Sequence, residues 1–292
     1  MLAEVDDFTT YIASEKGLAK NSVEAYRRDI LTFVTFLEEN GVTTFPEVQE
    51  QHIVSFLGHL RNREYASSSI ARTMIAIKVL FRFLKREGEV PANVALYLET
   101  PKMWQLIPEV LSPEEVNRLL LQPDVGTASG ARDKAILEVL YSSGLRVSEV
   151  CTLGIYNVDD NFVRVKGKGS KERLVPIGRK AIEAIDYYLA SYRCHHDSEK
   201  NSALFVSHKG KPIDRTYIWK MIKEYAKQAG ITKNISPHTL RHSFATHLLD
   251  NGADLRVIQE MMGHASISST DRYMHISKSH IQHAFDTFHP RG

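Results

Sequence analysis

Apolar residues recur at helical spacing along most of these 292 residues, and the two places where that spacing breaks decide what the chain can fold into. The first break lies between Pro91 and Pro113, where ETPKMWQLIPEVLSP holds three prolines and no periodic face. Proline fixes φ and removes a backbone donor, so this run reads as a connector between domains. The second break is FVRVKGKGSKERLVPI, two β-rich runs around a Gly-Lys-Gly-Ser turn, which predicts a hairpin. The expected class is mainly α with a small β-hairpin sheet. It divides into a helical domain over 1–103, a linker over 104–110 and an α+β domain over 111–292.

Four helical runs fill the first hundred residues. Leu2, Val5, Phe8, Tyr11 and Ile12 mark the first, and Val23, Tyr26, Ile30, Phe33, Val34 and Leu37 the second, with a cap expected at Asn21. Ile53, Phe56, Leu57 and Leu60 mark the third, and Ile70, Met74, Ile77, Phe81 and Leu84 the fourth, which Gly88 stops. Short connections between such helices predict a bundle. Its polar faces carry Lys20, Asn21, Ser22, Arg27, Ser68 and Arg72, candidate DNA contacts by residue type, although faces of this kind are more often simply solvated.

In the second domain Ser112, Pro113 and Glu115 spell a capping box. The helix through Ala135, Ile136, Val139 and Leu140 stops at Gly144, with Arg146 and then Glu149 just beyond. Glu149 stands three residues after Arg146 and can orient its guanidinium if a helical turn starts there. Helices are expected from Ile182 to Tyr192 and from Tyr217 to Ala229, with LFVS between them as a candidate third strand. Ile276, Ile281, Ala284, Phe285 and Phe288 line one face of a final helix, which can pack on its own domain or on a neighbour's.

Charge and cysteine usage exclude several classes. The formal net charge of +2 is no announcement of a nucleic-acid partner, yet it is uneven: 12 Lys and Arg against 14 Asp and Glu up to Met103, then 25 against 21. Any DNA contact must use local clusters, and the densest is the hairpin, with Arg164, Lys166, Lys168, Lys171 and Arg173. Two cysteines, Cys151 and Cys194, give neither a disulfide framework nor a zinc spacing. No signal sequence or membrane-length apolar run is present, so a cytoplasmic protein without membrane association is expected.

The chemistry concentrates between Ser236 and Tyr273. Ser236 and Pro237 start a helix whose first turn carries His238 and Arg241 on one face, where unpaired N–H groups already favour an anion. Gly252 closes that helix, Asp254 caps the next, and Gly263 ends it, leaving His264 just past a helix C-terminus and Tyr273 nine residues later. A zinc site is disfavoured, because HTLRH has Thr239 where a zinc protease needs glutamate. The chain holds neither a G-x-S-x-G elbow nor a Walker spacing. What remains matches a phosphodiester. Arg146 and Arg241 can fork onto non-bridging oxygens, His238 can act as base, His264 as donor, Tyr273 as nucleophile and Lys168 as the acid for the leaving 5′-oxygen. No cofactor, metal or ATP is required.

GLRVSE at Arg146, GKGSKER at Lys168, HTLRHSFATHLL at His238 and Arg241, GH at His264 and the later Tyr273 resemble, in this order, the motifs of the tyrosine recombinases. The resemblance spans nearly the whole chain. It implies an N-terminal helical core-binding bundle, an α+β catalytic domain, and double-stranded DNA cleavage and rejoining through Tyr273, with Glu149 in support. RDKAILEVLYSSGLRVSE and the terminal HPRG look most like the family's bacterial Xer branch. That branch implies a heterotetramer of two related recombinases on DNA, last helices docked on neighbouring subunits, and activation by a septal DNA translocase. One departure stands at DRYMH, where Met274 replaces the threonine usual in Xer proteins and Arg272 sets a cation beside the tyrosine. An integrase of a mobile element, a type IB topoisomerase and a non-cleaving accessory factor remain as alternatives.

Overall fold

The computed structural model describes residues 1–98, 109–166, 172–193, 202–263 and 278–291, the last stretch without the side chains of 278–280. The chain forms two compact units, Met1–Leu106 and Ile107–Gly292, each with its own apolar core. The expected linker at 104–110 falls mostly outside the described residues.

The first unit contains α1 (Leu2–Ser14), α2 (Lys20–Glu39), α3 (Glu50–Asn62) and α4 (Ser67–Glu87). Each turns its periodic residues inward: Phe8, Ile12, Ile30, Phe33, Ile53, Phe56, Met74 and Ile77 are all fully buried. Each such side chain contributes about 1.5–3 kcal/mol by leaving water. Tyr11 stacks on Phe83 at 4.9 Å, joining α1 to α4. Gly88 ends α4 with left-handed backbone at φ 81°. The cap expected at Asn21 is not formed. Ala19 takes the extended cap conformation and its carbonyl accepts from the Ser22 and Val23 N–H groups, so Asn21 lies inside the first turn.

The second unit is built around α6 (Ala128–Ser143), buried on nearly every side. A helix enclosed in this way needs partners for its polar residues. Asp133 accepts from Arg132 and from the Tyr217 and Tyr225 hydroxyls, which ties α6 to α9 (Arg215–Gln228). Against α6 pack α5 (Pro113–Leu120), α7 (Val147–Cys151), α8 (Arg179–Ser191) and α10 (Pro237–Asp250), and α11 (Leu255–Met262) and α12 (Lys278–Phe288) pack in turn on α10. Antiparallel strands β1 (Phe162–Lys166) and β2 (Glu172–Pro176) form the sheet, with Val163 opposite Val175 and Val165 opposite Arg173. The candidate third strand LFVS carries one isolated bridge, Val206 to Pro212, and a second, Ala203 to Gly154, falls just before it. Its residues meet two different segments, and Pro212 has no N–H to extend a ladder.

The final helix packs on its own unit. Ile281, Ala284 and Phe285 join the core that α10 and α11 share. Behind α12, the Arg291 guanidinium donates to Asn117 Oδ1 at 2.9 Å, and Asn251 Nδ2 donates to the Phe288 carbonyl at 2.6 Å. His289 is buried among Tyr141, Phe244 and Phe285. No helix among the described residues is long and apolar enough to cross a membrane.

Candidate active site

Gly144 closes α6 at φ 57°, and this left-handed turn sends the chain straight into Arg146, the N-cap residue of α7. Three positions on, Glu149 reaches back. Its Oε2 accepts from the Arg146 backbone N–H at 2.8 Å and its Oε1 from the Arg146 guanidinium at 3.1 Å. The same carboxylate takes a two-pronged bond from β2, Arg173 Nη1 to Oε1 at 2.8 Å and Nη2 to Oε2 at 3.0 Å. Burial opposes the charge on Glu149, but the donors from Arg173 and Arg146 outweigh it and hold the carboxyl below its ordinary range.

Helix α10 supplies the second arginine of the sequence motif by local rules. Ser236 Oγ accepts from the Thr239 N–H and Pro237 occupies the first turn. Arg241 then points inward with 4% of its surface exposed, donating to the Gly144 and Met262 carbonyls. Burial, then repulsion from Arg146, pulls its pKa down to about 10, so it stays charged at neutral pH.

The end of α11 gathers these cations. Arg173 donates to the Met261 carbonyl at 3.2 Å, Arg241 to Met262 at 2.6 Å and Arg146 to Gly263 at 3.1 Å. Three consecutive carbonyls, which a helix C-terminus leaves unpaired and partly negative, thus seat three guanidiniums from α7, β2 and α10. One carboxylate offsets three positive charges, and the surplus makes a site for an anion. A guanidinium carries five N–H groups, so bonds to carbonyls leave others for a phosphate.

The remaining expected residues fall in three groups. His238 is exposed on the first turn of α10, and Arg164 and Lys166 are exposed on β1, Lys166 facing Glu172 at 3.8 Å. Lys20, Asn21, Ser22 and Ser68 are exposed in the first unit. There Arg27 pairs with Asp6 at 3.1 Å, and Arg72 forks onto the buried Asp29 at 2.7 and 3.0 Å. Lys168, Lys171, His264 and Tyr273 lie outside the described residues. Arg173, expected among the hairpin cations as a candidate DNA contact, has a side chain only 15% exposed. Strand alternation carries the missed signal: Arg173 shares a hairpin face with Val163, Val165 and Val175. His247 is a structural histidine, bonded to the Tyr141 hydroxyl at 2.9 Å and the Leu111 carbonyl at 2.8 Å. Among the described residues no group of three or more His, Cys, Asp or Glu side chains is placed to hold a metal.

Residues 109–280 match the Phage integrase family, and residues 5–88 match its N-terminal SAM-like domain. The chain belongs to the phage integrase family of tyrosine recombinases. It is therefore a DNA strand-exchange enzyme. The recombinase is 42% identical over 291 residues to a Staphylococcus epidermidis protein named tyrosine recombinase XerD, covering 99% of both chains. It is 39% identical over 293 residues to the XerD of Listeria innocua, again over 99% of each. Among solved structures, the XerA recombinase is 30% identical over 99% of both chains with a TM-score of 0.51. A XerH recombinase bound to a palindromic difH substrate shares the fold, with a TM-score of 0.74 at 22% identity over 96% of this chain and 83% of that one.

Proposed function

We propose that this recombinase cuts and rejoins a specific DNA site through Tyr273 and resolves chromosome dimers at a terminus-region site before cell division. The observation that carries the reading is the convergence of Arg146 and Arg241 on the adjacent carbonyls of Gly263 and Met262, which concentrates positive charge where a phosphodiester would gain negative charge. Tyr273 Oη attacks the phosphorus as His238 takes its proton, and the leaving 5′-oxygen takes one from Lys168. A 3′-phosphotyrosyl ester conserves the bond energy, and a 5′-hydroxyl from another strand reverses the step. Arg146, Arg241 and His264 hold the phosphate oxygens. The reaction draws on neither a metal nor ATP. The exposed cations Lys20, Arg27, Arg164 and Lys166, with Asn21, Ser22, Ser68, Arg72 and Lys171, are assigned to the DNA backbone.

Identity of about 40% to proteins named XerD supports a XerD-like role in the cytoplasm, paired with a XerC-like recombinase in a heterotetramer and activated by a septal DNA translocase. A nicked DNA substrate carrying a candidate terminus site tests the chemistry. Wild type is expected to trap a covalent 3′-phosphate adduct that Tyr273→Phe abolishes, and an adduct retained in that variant rejects the nucleophile. Relaxation of a supercoiled plasmid without any such site would point to topoisomerase activity instead.

A further inference from the structure

We infer that Arg173 is a positioning residue of the cleavage site: it holds the Glu149 carboxylate and the end of α11 in the geometry that aims Arg146, and it does not contact DNA. This rests on the reading of the site given above and assigns it a component that the catalytic set leaves out.

Three independent features carry the assignment. The first is bonding, because the Arg173 guanidinium is committed to partners within the protein: two bonds go to Glu149 at 2.8 and 3.0 Å and one to the Met261 carbonyl at 3.2 Å. A planar fork that matches a carboxylate on two prongs fixes that carboxylate in place, which a lysine cannot do. The second is burial, since Arg173 is 15% exposed where Arg146 is 40% exposed. Of the two cations on Glu149, Arg146 is the one open to an incoming phosphate. The third is the shape of the cradle. A Cβ on Gly263 would lie 2.8 Å from Arg173 Nε and 3.0 Å from its Cζ, so the left-handed glycine at φ 62° leaves the space that the guanidinium occupies. Arg173 therefore spans β2, α7 and α11. Removing it frees one oxygen lobe on each side of Glu149 and loosens the orientation of Arg146.

The charge balance gives a second signature. Burial raises the Glu149 pKa and the Arg173 bonds are foremost among the interactions that lower it. Without Arg173 the carboxyl takes up a proton nearer neutral pH and releases Arg146 as it does so.

The test uses the full-length protein and a nicked site-bearing duplex, with single-turnover cleavage and DNA affinity measured across salt and pH. Arg173→Met is expected to keep the wild-type Kd and salt slope, to cleave about 10- to 100-fold more slowly, as small misplacements of a reacting group do, and to lose rate at a higher pH on the acid side. Combining it with Glu149→Gln should cost no more than the worse single change, because both act through one contact. Arg173→Lys keeps the charge and disturbs packing least, so it serves if the methionine variant fails to fold; it should bind normally and recover only part of the rate. A salt slope shallower by about one in the methionine variant marks a lost phosphate contact and overturns the inference. Undiminished cleavage also overturns it. Failure of wild type to form the adduct would instead sink the proposed function itself.

Discussion

Replacing Glu149 with glutamine changes no volume and removes one charge, and the structure sets what that should cost. Each carboxylate oxygen accepts two bonds, Oε1 from the Arg146 and Arg173 guanidiniums and Oε2 from the Arg146 N–H and Arg173. Whichever way the amide is turned, its NH2 group faces two donors and both bonds are lost. Bonds to charged groups are worth about 1.5–3 kcal/mol each, but Arg146 is 40% exposed and can recover water. Arg173, at 15%, cannot. The net loss should be about 3 kcal/mol, near the lower end for breaking a buried pair. For a unit of this size that lowers Tm by about 6–12 °C, read by scanning calorimetry at pH 7. The pH dependence adds a check on the cause. Because the folded pKa of Glu149 is depressed, its stabilisation is complete above the unfolded value of about 4.3 and is lost as pH falls through the folded one. The gap between wild type and variant should narrow below about pH 4. A Tm shift under about 2 °C at pH 7, or a gap unchanged in acid, would show that the Glu149 charge does not hold the two arginines.

Gly144→Ala should destabilise by about 2–5 kcal/mol, from the left-handed backbone and from overpacking together, since its Cβ would sit 2.4 Å from Phe244 Cδ1. Urea unfolding measures this, and cleavage should fall as well, because the Gly144 carbonyl holds Arg241. Burial, with His247 and Arg291 adding repulsion, pulls the His289 pKa to about 3. Its stabilisation is therefore full above about pH 6.5 and is lost progressively toward pH 3, about 2 kcal/mol by pH 5. His289→Phe should flatten that part of the urea midpoint's pH dependence, and an unchanged slope would count against the buried neutral histidine.

Much of this architecture could be read from local pattern. The capping residues at Ser112, Ser236 and Asp254 all act as caps, because a short oxygen side chain beside a free N–H is decided within one turn. Asn21 misled for the same local reason: alanine two residues earlier can open a helix with its backbone alone. The LFVS run has strand composition, but strand pairing is set by distant partners. The site divides along the same line. Arg146 and Glu149 are neighbours in sequence, so their pairing was open to inspection. That Arg173 and Arg241 meet them depends on contacts spanning 24 and 97 residues, through Glu149 and Gly144. No periodicity encodes such a meeting. The carbonyls of Met261, Met262 and Gly263 were beyond reach altogether, since backbone oxygens carry no letter.

Those three oxygens make the length of α11 a ruler. A helix advances about 100° per residue, so a single insertion or deletion between Asp254 and Met261 would swing the whole terminus around its axis and present the wrong atoms to every arginine at once. Point changes along the solvent side of this short segment should be absorbed with little effect. A shift of one position should not, whatever residue is added.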